Sequence, residues 1–174
     1  MKKRTIVIID LDGVFFDSHG IYKRIKKLTE NFDKQIELYT EYLDKLEPNR
    51  WCLELICNLI VNHKICFVTA RSDKYFDITD TSVAKELIDY ASSYHPHLTL
   101  EQINNYDIFM RKFDDCSSDT EYKKSVLRDL IEEYDVIFAL DDDPDISKMY
   151  YQNGIPSLNV LGLYERLQDE PDDI

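Results

Sequence analysis

A chain of 174 residues, 44% hydrophobic and 32% charged with four glycines and five prolines, has room for one domain with a real core and too little for two. Its formal net charge of −13 excludes an extended nucleic-acid binding track, which needs Lys and Arg to replace counterions along the backbone. No stretch approaches the roughly 18 apolar residues needed to cross a bilayer, so no membrane association is expected. Any phosphate-bearing partner must then be held locally, by a metal and a few cations.

The opening Met1-Lys2-Lys3-Arg4 resembles the start of a signal peptide, but the apolar run after it ends at Asp10 with no small-residue cleavage site. It reads as a first strand, residues 5–10, whose β-branched apolar residues suit a buried parallel strand. From Ile21 the apolar residues Ile25, Leu28, Phe32, Ile36, Tyr39, Leu43 and Leu46 recur every three or four positions, which predicts one or two amphipathic helices. Pro48 stops them, and Asn49 can cap the next helix, 50–62. Residues 64–69 are a second buried strand. A polar loop, 70–80, leads into a helix over 82–94 that ends before Pro96.

Residues 107–111 are a third strand. Ser118 and Glu121 have capping-box spacing and open a helix that runs to about Tyr134. Residues 135–140 are a fourth strand, Pro144 starts a short helix closed by Gly154, and 155–161 are a fifth strand. The tail, 168–174, is acidic and expected to fray. Cys52, Cys57, Cys66 and Cys116 lack metal-type pairing, and three lie in apolar segments. They read as free thiols of a reduced compartment, which points to the cytoplasm.

Alternating strands and helices predict an α/β fold: three layers, Rossmann-like, around a parallel five-stranded sheet. One domain would span 1–167, with at most a small helical cap at 20–46; that insert reads equally as a hairpin packed on the sheet. Ligands of such sheets bind beyond the carboxyl ends of the strands. The rule gathers Asp10, Asp12, Thr69, Ala70, Arg71, Arg111 and Asp141 to Asp143 at one edge. Alone, Asp10-Leu11-Asp12-Gly13 also reads as a strand-end turn, since Asp and Gly are common turn residues. Close carboxylates, however, are hard to keep ionised without a cation. A hard divalent ion held by one or two carboxylates and a substrate phosphate is typically magnesium.

Four segments, in order, resemble the motifs of the haloacid dehalogenase-like (HAD) superfamily: Asp10-Leu11-Asp12-Gly13-Val14, Phe67-Val68-Thr69-Ala70-Arg71, a lysine early in a later helix, and Asp141-Asp142. The resemblance covers about residues 5–161. It implies that Asp10 attacks phosphorus and that Asp12 is acid and then base. Magnesium would contact the Asp10 side chain, the Asp12 carbonyl, and Asp141 or Asp142. Thr69 would bond a phosphate oxygen, and a lysine would neutralise the crowded anions. Having Asp12 and the acidic pair, the chain looks like a member that transfers phosphoryl groups.

Lys123 and Lys124 are both candidates, and Asp119 can pair with Lys123 at i, i+4. Met110-Arg111, Asp119-x-x-x-Lys123 and Asp141-Asp142 are similar to the 3′-phosphatase domain of phage-type polynucleotide kinases. That similarity selects Lys123 and adds Arg71, Arg111 and Asp119, with the backbone at Gly13 and Ala70, to the substrate side. For Arg111 a surface salt bridge is the competing role. The chain departs from this pattern at Asp143-Pro144, where Arg is usual, and at Ala70, where Gly is usual. It contains no P-loop, so no kinase half is expected within these residues.

The reading is a phosphatase of a nucleotide or a polynucleotide 3′-terminus. A phosphatase of an unrelated small metabolite and a non-catalytic binding module are the alternatives. Phe15, Phe16, Tyr22 and Tyr75 lie near the motifs and could stack on a base or belong to the core.

Overall fold

The computed structural model describes residues 3–161. The acidic tail lies outside the described residues. Five strands form one parallel sheet: β1 (Arg4–Ile9), β2 (Lys64–Ser72), β3 (Tyr106–Arg111), β4 (Tyr134–Asp141) and β5 (Ser157–Asn159), in the order β3-β2-β1-β4-β5. The helices are α1 (His19–Leu28), α2 (Phe32–Thr40), α3 (Arg50–Leu59), α4 (Phe76–Tyr94), α5 (Leu100–Ile103), α6 (Asp119–Glu133) and α7 (Pro144–Gln152).

Side chains of a strand alternate between the two faces of a sheet, and each face here has its own core. Val7, Ile9, Ile65, Phe67 and Leu140 pack with α3 and α4 through Ile56, Val83 and Leu87. Ile6, Ile8, Cys66, Val68 and Ala139 pack the other face with α6 and α7 through Val126, Leu127, Leu130, Met149 and Tyr150. Both faces are covered, which is why β1 and β2 read as continuous apolar runs. Ile25, Tyr39, Leu43 and Leu46 join the first core, so the 20–46 insert packs on the α3/α4 side.

The chain builds β1, β2 and β3 outward in one direction, then returns to place β4 on the other side of β1. That reversal opens a crevice at the carboxyl ends of β1 and β4, where Asp10 follows Ile9 and Asp141 ends β4.

Several boundaries differ from the sequence expectation. Residues 70–80 are not a loop: β2 continues to Ser72, a 3₁₀ turn covers Asp73–Tyr75, and α4 begins at Phe76. The β2–β3 register shifts between Thr69 and Ser72, and this bulge with its polar residues hides the strand from a hydrophobicity reading. The short helix α5 was not anticipated, although Thr99 and Gln102 form its capping box. Asn49 stands at the N-cap of α3 without a side-chain capping bond; its amide donates to the Val14 carbonyl and ties α3 to the turn after β1. The capping box of Ser118 and Glu121 forms as expected.

Candidate active site

The turn after β1 is closed by its own backbone: Phe16 N–H donates to the Leu11 carbonyl at 2.8 Å, and Gly13 N–H to the Phe16 carbonyl at 2.9 Å. Gly13 has φ +82°, a left-handed conformation, and a Cβ there would collide with the Asp142 carboxylate and His19. Only glycine combines that backbone with that closeness. The turn thereby brings the β1 and β4 ends together, with Asp10 N–H bonded to the Leu140 carbonyl at 3.0 Å.

Asp10, Asp141 and Asp142 place carboxylate oxygens within 4.8 Å of one another. Lys123 enters from the first turns of α6, 2% exposed, with Nζ 2.9 Å from Asp10 Oδ1 and 2.8 Å from Asp141 Oδ2. Lys124 faces solvent. Burial pushes the Asp10 carboxyl well above the usual carboxylate range; Lys123 pulls it back, and Asp141, Asp142 and Asp12 push it up again. Asp141 is raised for the same first reason, with Lys123 opposing. His19 lies 3.2 Å from Asp142 Oδ2, and that hydrogen bond raises its own basicity. Buried carboxylates thus outnumber the one buried ammonium among them. A set of hard oxygen donors with excess negative charge is what a divalent cation binds, so these residues fit one.

Asp12 lies in a different setting. Burial alone would raise its carboxyl, but Arg71 and the Tyr39 hydroxyl hold it below the usual value. Arg71 reaches it with Nε on Oδ2 at 2.8 Å and Nη2 on Oδ1 at 2.6 Å, a two-pronged pair. Tyr39 donates to Oδ1. Arg71 is itself buried, with Nη1 3.4 Å from Thr79 Oγ1 and its guanidinium 5.2 Å from the centre of the Phe16 ring. The bulge after Thr69 turns Arg71 toward Asp12 instead of along the sheet. Thr69, 1% exposed, accepts the Arg71 N–H at 3.3 Å, so its own hydroxyl proton is free to donate.

Over residues 4–162 the sequence matches the family model of the polynucleotide kinase PNKP phosphatase domain. The chain belongs to this family. It is a phosphatase of the HAD superfamily, a phosphoric monoester hydrolase. Among solved structures it is similar to a chain in the Pnkp1/Rnl/Hen1 RNA repair complex, at 21% identity and TM-score 0.64, covering 91% of this chain and 42% of that one. A second structure of the Pnkp1/Rnl/Hen1 complex gives 22% identity and 0.64, covering 91% and 46%. A HAD family enzyme of Bacteroides thetaiotaomicron, in a magnesium complex, gives 17% and 0.52, covering 90% and 93%. The chain thus spans less than half the length of the two chains from Pnkp1/Rnl/Hen1 complexes. No curated protein sequence matches it.

Arg111 and Asp119 pair with each other, the Arg111 side chain 18% and the Asp119 side chain 59% exposed. Ala70 sits half-buried in the bulge. Asp143, where the related pattern has Arg, caps α7 by accepting the Asp145 and Ile146 N–H groups, with Pro144 in the first turn. The unusual residue has a local structural use. Phe15 and Phe16 are fully buried and unavailable for stacking on a base, and Tyr75 packs against the core.

Sequence reasoning missed Tyr39, Thr79, His19 and Asn159 as members of the site. Asn159 donates to the Asp142 carbonyl at 2.8 Å and connects β5 to the acidic pair. Tyr39 appears in the sequence only as one more apolar position of a helix. Nothing in its spacing reveals that its hydroxyl meets Asp12.

Among the described residues no helix is long and apolar enough to cross a membrane.

Proposed function

We propose that the chain hydrolyses a phosphate monoester through an aspartyl-phosphate on Asp10, with magnesium as cofactor and a nucleotide or polynucleotide 3′-phosphate as substrate. The single observation behind the mechanism is the unequal treatment of the two turn acids: Asp10 lies with Lys123 and two more carboxylates, and Asp12 is clamped apart by Arg71. In the first step an Asp10 oxygen bonds to phosphorus as the ester P–O bond breaks, and Asp12, ionised in the free protein and protonated on taking up the substrate, gives that proton to the departing oxygen. In the second, water attacks phosphorus and loses its proton to Asp12; the bond to Asp10 breaks and inorganic phosphate leaves. Thr69 would donate to a phosphate oxygen, and Lys123 would offset charge on the transferring group.

Asp10, Asp141 and Asp142 would hold the magnesium ion with the Asp12 carbonyl. The ion would cancel repulsion between these carboxylates and the phosphate. The family supports the nucleic-acid terminus as substrate. The charge of −13 favours a short end held locally over a long strand, and equally supports the second reading, a small-metabolite phosphate. Arg71, Gly13, Ala70, Arg111 and Asp119 would line the approach.

A panel of 3′-phosphorylated oligonucleotides, free nucleotides and sugar phosphates tests the substrate. The 3′-phosphate esters are expected to show the highest kcat/KM. A sugar phosphate preferred by a large factor would replace the nucleic-acid reading with the metabolite one.

A further inference from the structure

The helical insert places a side chain on the reacting centre. Tyr39 of α2 is buried, and its hydroxyl donates to Asp12 Oδ1. The Tyr22 ring of α1 stacks on the Tyr39 ring, 4.3 Å between centroids and 15° from parallel, so two helices fix the phenol in place. A carboxylate offers about two acceptor positions on each oxygen. Arg71 Nη2 and Tyr39 occupy both on Oδ1, and Arg71 Nε occupies one on Oδ2. One acceptor position is left, on Oδ2.

We propose that Tyr39 is a positioning residue for Asp12: by completing the shell of Oδ1 it makes Oδ2 the oxygen that exchanges the proton. This rests on the acid–base role of Asp12 given above. The proton on Oδ2 passes to the ester oxygen as its bond to phosphorus breaks. A proton of the attacking water then returns to Oδ2 as the bond from phosphorus to Asp10 breaks. Tyr39, buried beside a carboxylate, keeps its own proton throughout. A phenol that served packing alone would be satisfied by any carbonyl; this one is spent on the acid of the motif, from an insert that a simple strand-to-helix connection does not need. The insert is therefore part of the proton-transfer apparatus.

The test is Tyr39→Phe, which keeps the ring and its stack and removes one donor. Two esters separate the roles: thymidine 3′-phosphate, whose alkoxide leaving group needs a proton, and dinitrophenyl phosphate, whose leaving group departs without one. On thymidine 3′-phosphate kcat/KM is expected to fall about tenfold, the effect of one lost hydrogen bond in the transition state. On dinitrophenyl phosphate the change stays under about twofold. Equal loss on both esters, or loss on neither, overturns the proposal. Tyr22→Leu, which loosens the stack, should give a smaller loss with the same selectivity and decides the matter if Tyr39→Phe does not fold. Asp12→Asn run alongside separates two failures. If it hydrolyses both esters like the wild type, the acid–base reading is wrong and the proposal goes with it. If it still passes the phosphoryl group of dinitrophenyl phosphate to Asp10 but not that of the alkyl ester, while Tyr39→Phe is unaffected, that reading stands and the role of Tyr39 falls.

Discussion

Asp10 and Asp12 stand two residues apart on one turn, yet Asp10 lies among further carboxylates and shares Lys123 with Asp141, whereas Asp12 has a guanidinium and a phenol to itself. Their carboxyl pKa values move in opposite directions, Asp10 up and Asp12 down. The difference shows how one turn can serve two chemical roles. The backbone of residues 10–16 fixes where the acids are, and residues 59 and 113 positions away, Arg71 and Lys123, decide what each acid is. Metal-free, the Asp10 side holds more negative charge than its surroundings satisfy, and the Asp12 charge is paired with one acceptor position left on Oδ2.

The contrast can be broken most severely at the nucleophile. Asp10→Asn should lower kcat by at least about 10³-fold, since an amide cannot form the intermediate, while thermal unfolding shows the fold intact. Retention of more than a few per cent of activity would refute the assignment. On the Asp12 side, Arg71→Met leaves a carboxylate without its buried partner. A loss of about 3 kcal/mol in denaturant unfolding is expected, together with a marked loss of activity on alkyl esters. A stability loss below about 0.5 kcal/mol would mean that the clamp is loose in solution.

Magnesium should act on one side only. At about 100 times its Kd it should raise the Tm of the wild type by about 5–10 °C. Asp142→Asn should abolish most of that rise, and Arg71→Met should keep it. An equal rise in Asp142→Asn would remove the acidic pair from the metal site.

The smallest effect is a difference in pH dependence, read in chelator so that no metal intervenes. Asp10, raised in the folded state, contributes stability that is complete below its unfolded value near 3.9 and lost as pH rises through the folded value. Asp12, lowered, contributes stability present above about 3.9 and lost as pH falls through its folded value. Mild acidification from neutrality should therefore stabilise the metal-free protein through Asp10 before the Asp12 clamp fails at lower pH. Asp10→Asn should flatten the first change and keep the second. Identical profiles for wild type and Asp10→Asn would contradict the raised pKa of Asp10.

Much of this contrast is legible in the sequence, for identifiable reasons. Asp10, Thr69 and Asp141 end or follow buried β-branched strands, and the rule for parallel sheets sends all three to one edge. Lys123 is separated from Lys124 only by the resemblance to the family pattern, and the structure buries the first and exposes the second. Asp119 itself, however, pairs with Arg111 at the surface and not with Lys123 at the centre. Helical spacing says which residues can meet, and tertiary packing decides which do. The Arg71–Asp12 fork depends on a register shift after Thr69, and no periodicity announces a bulge. Tyr39 is hidden because an amphipathic pattern records that a ring is buried and is silent about its hydroxyl.

The most direct test of the division of labour uses Asp12→Asn with dinitrophenyl phosphate and magnesium, quenched in acid and mapped by peptide mass spectrometry. This leaving group needs no acid, so Asp10 should still be phosphorylated, and with no base to activate water the intermediate should persist. The account predicts a phosphoryl group on Asp10 in the variant, approaching one per chain within the first turnover. A variant that turns over dinitrophenyl phosphate with no phosphorylated Asp10, or with the label on another residue, would contradict it.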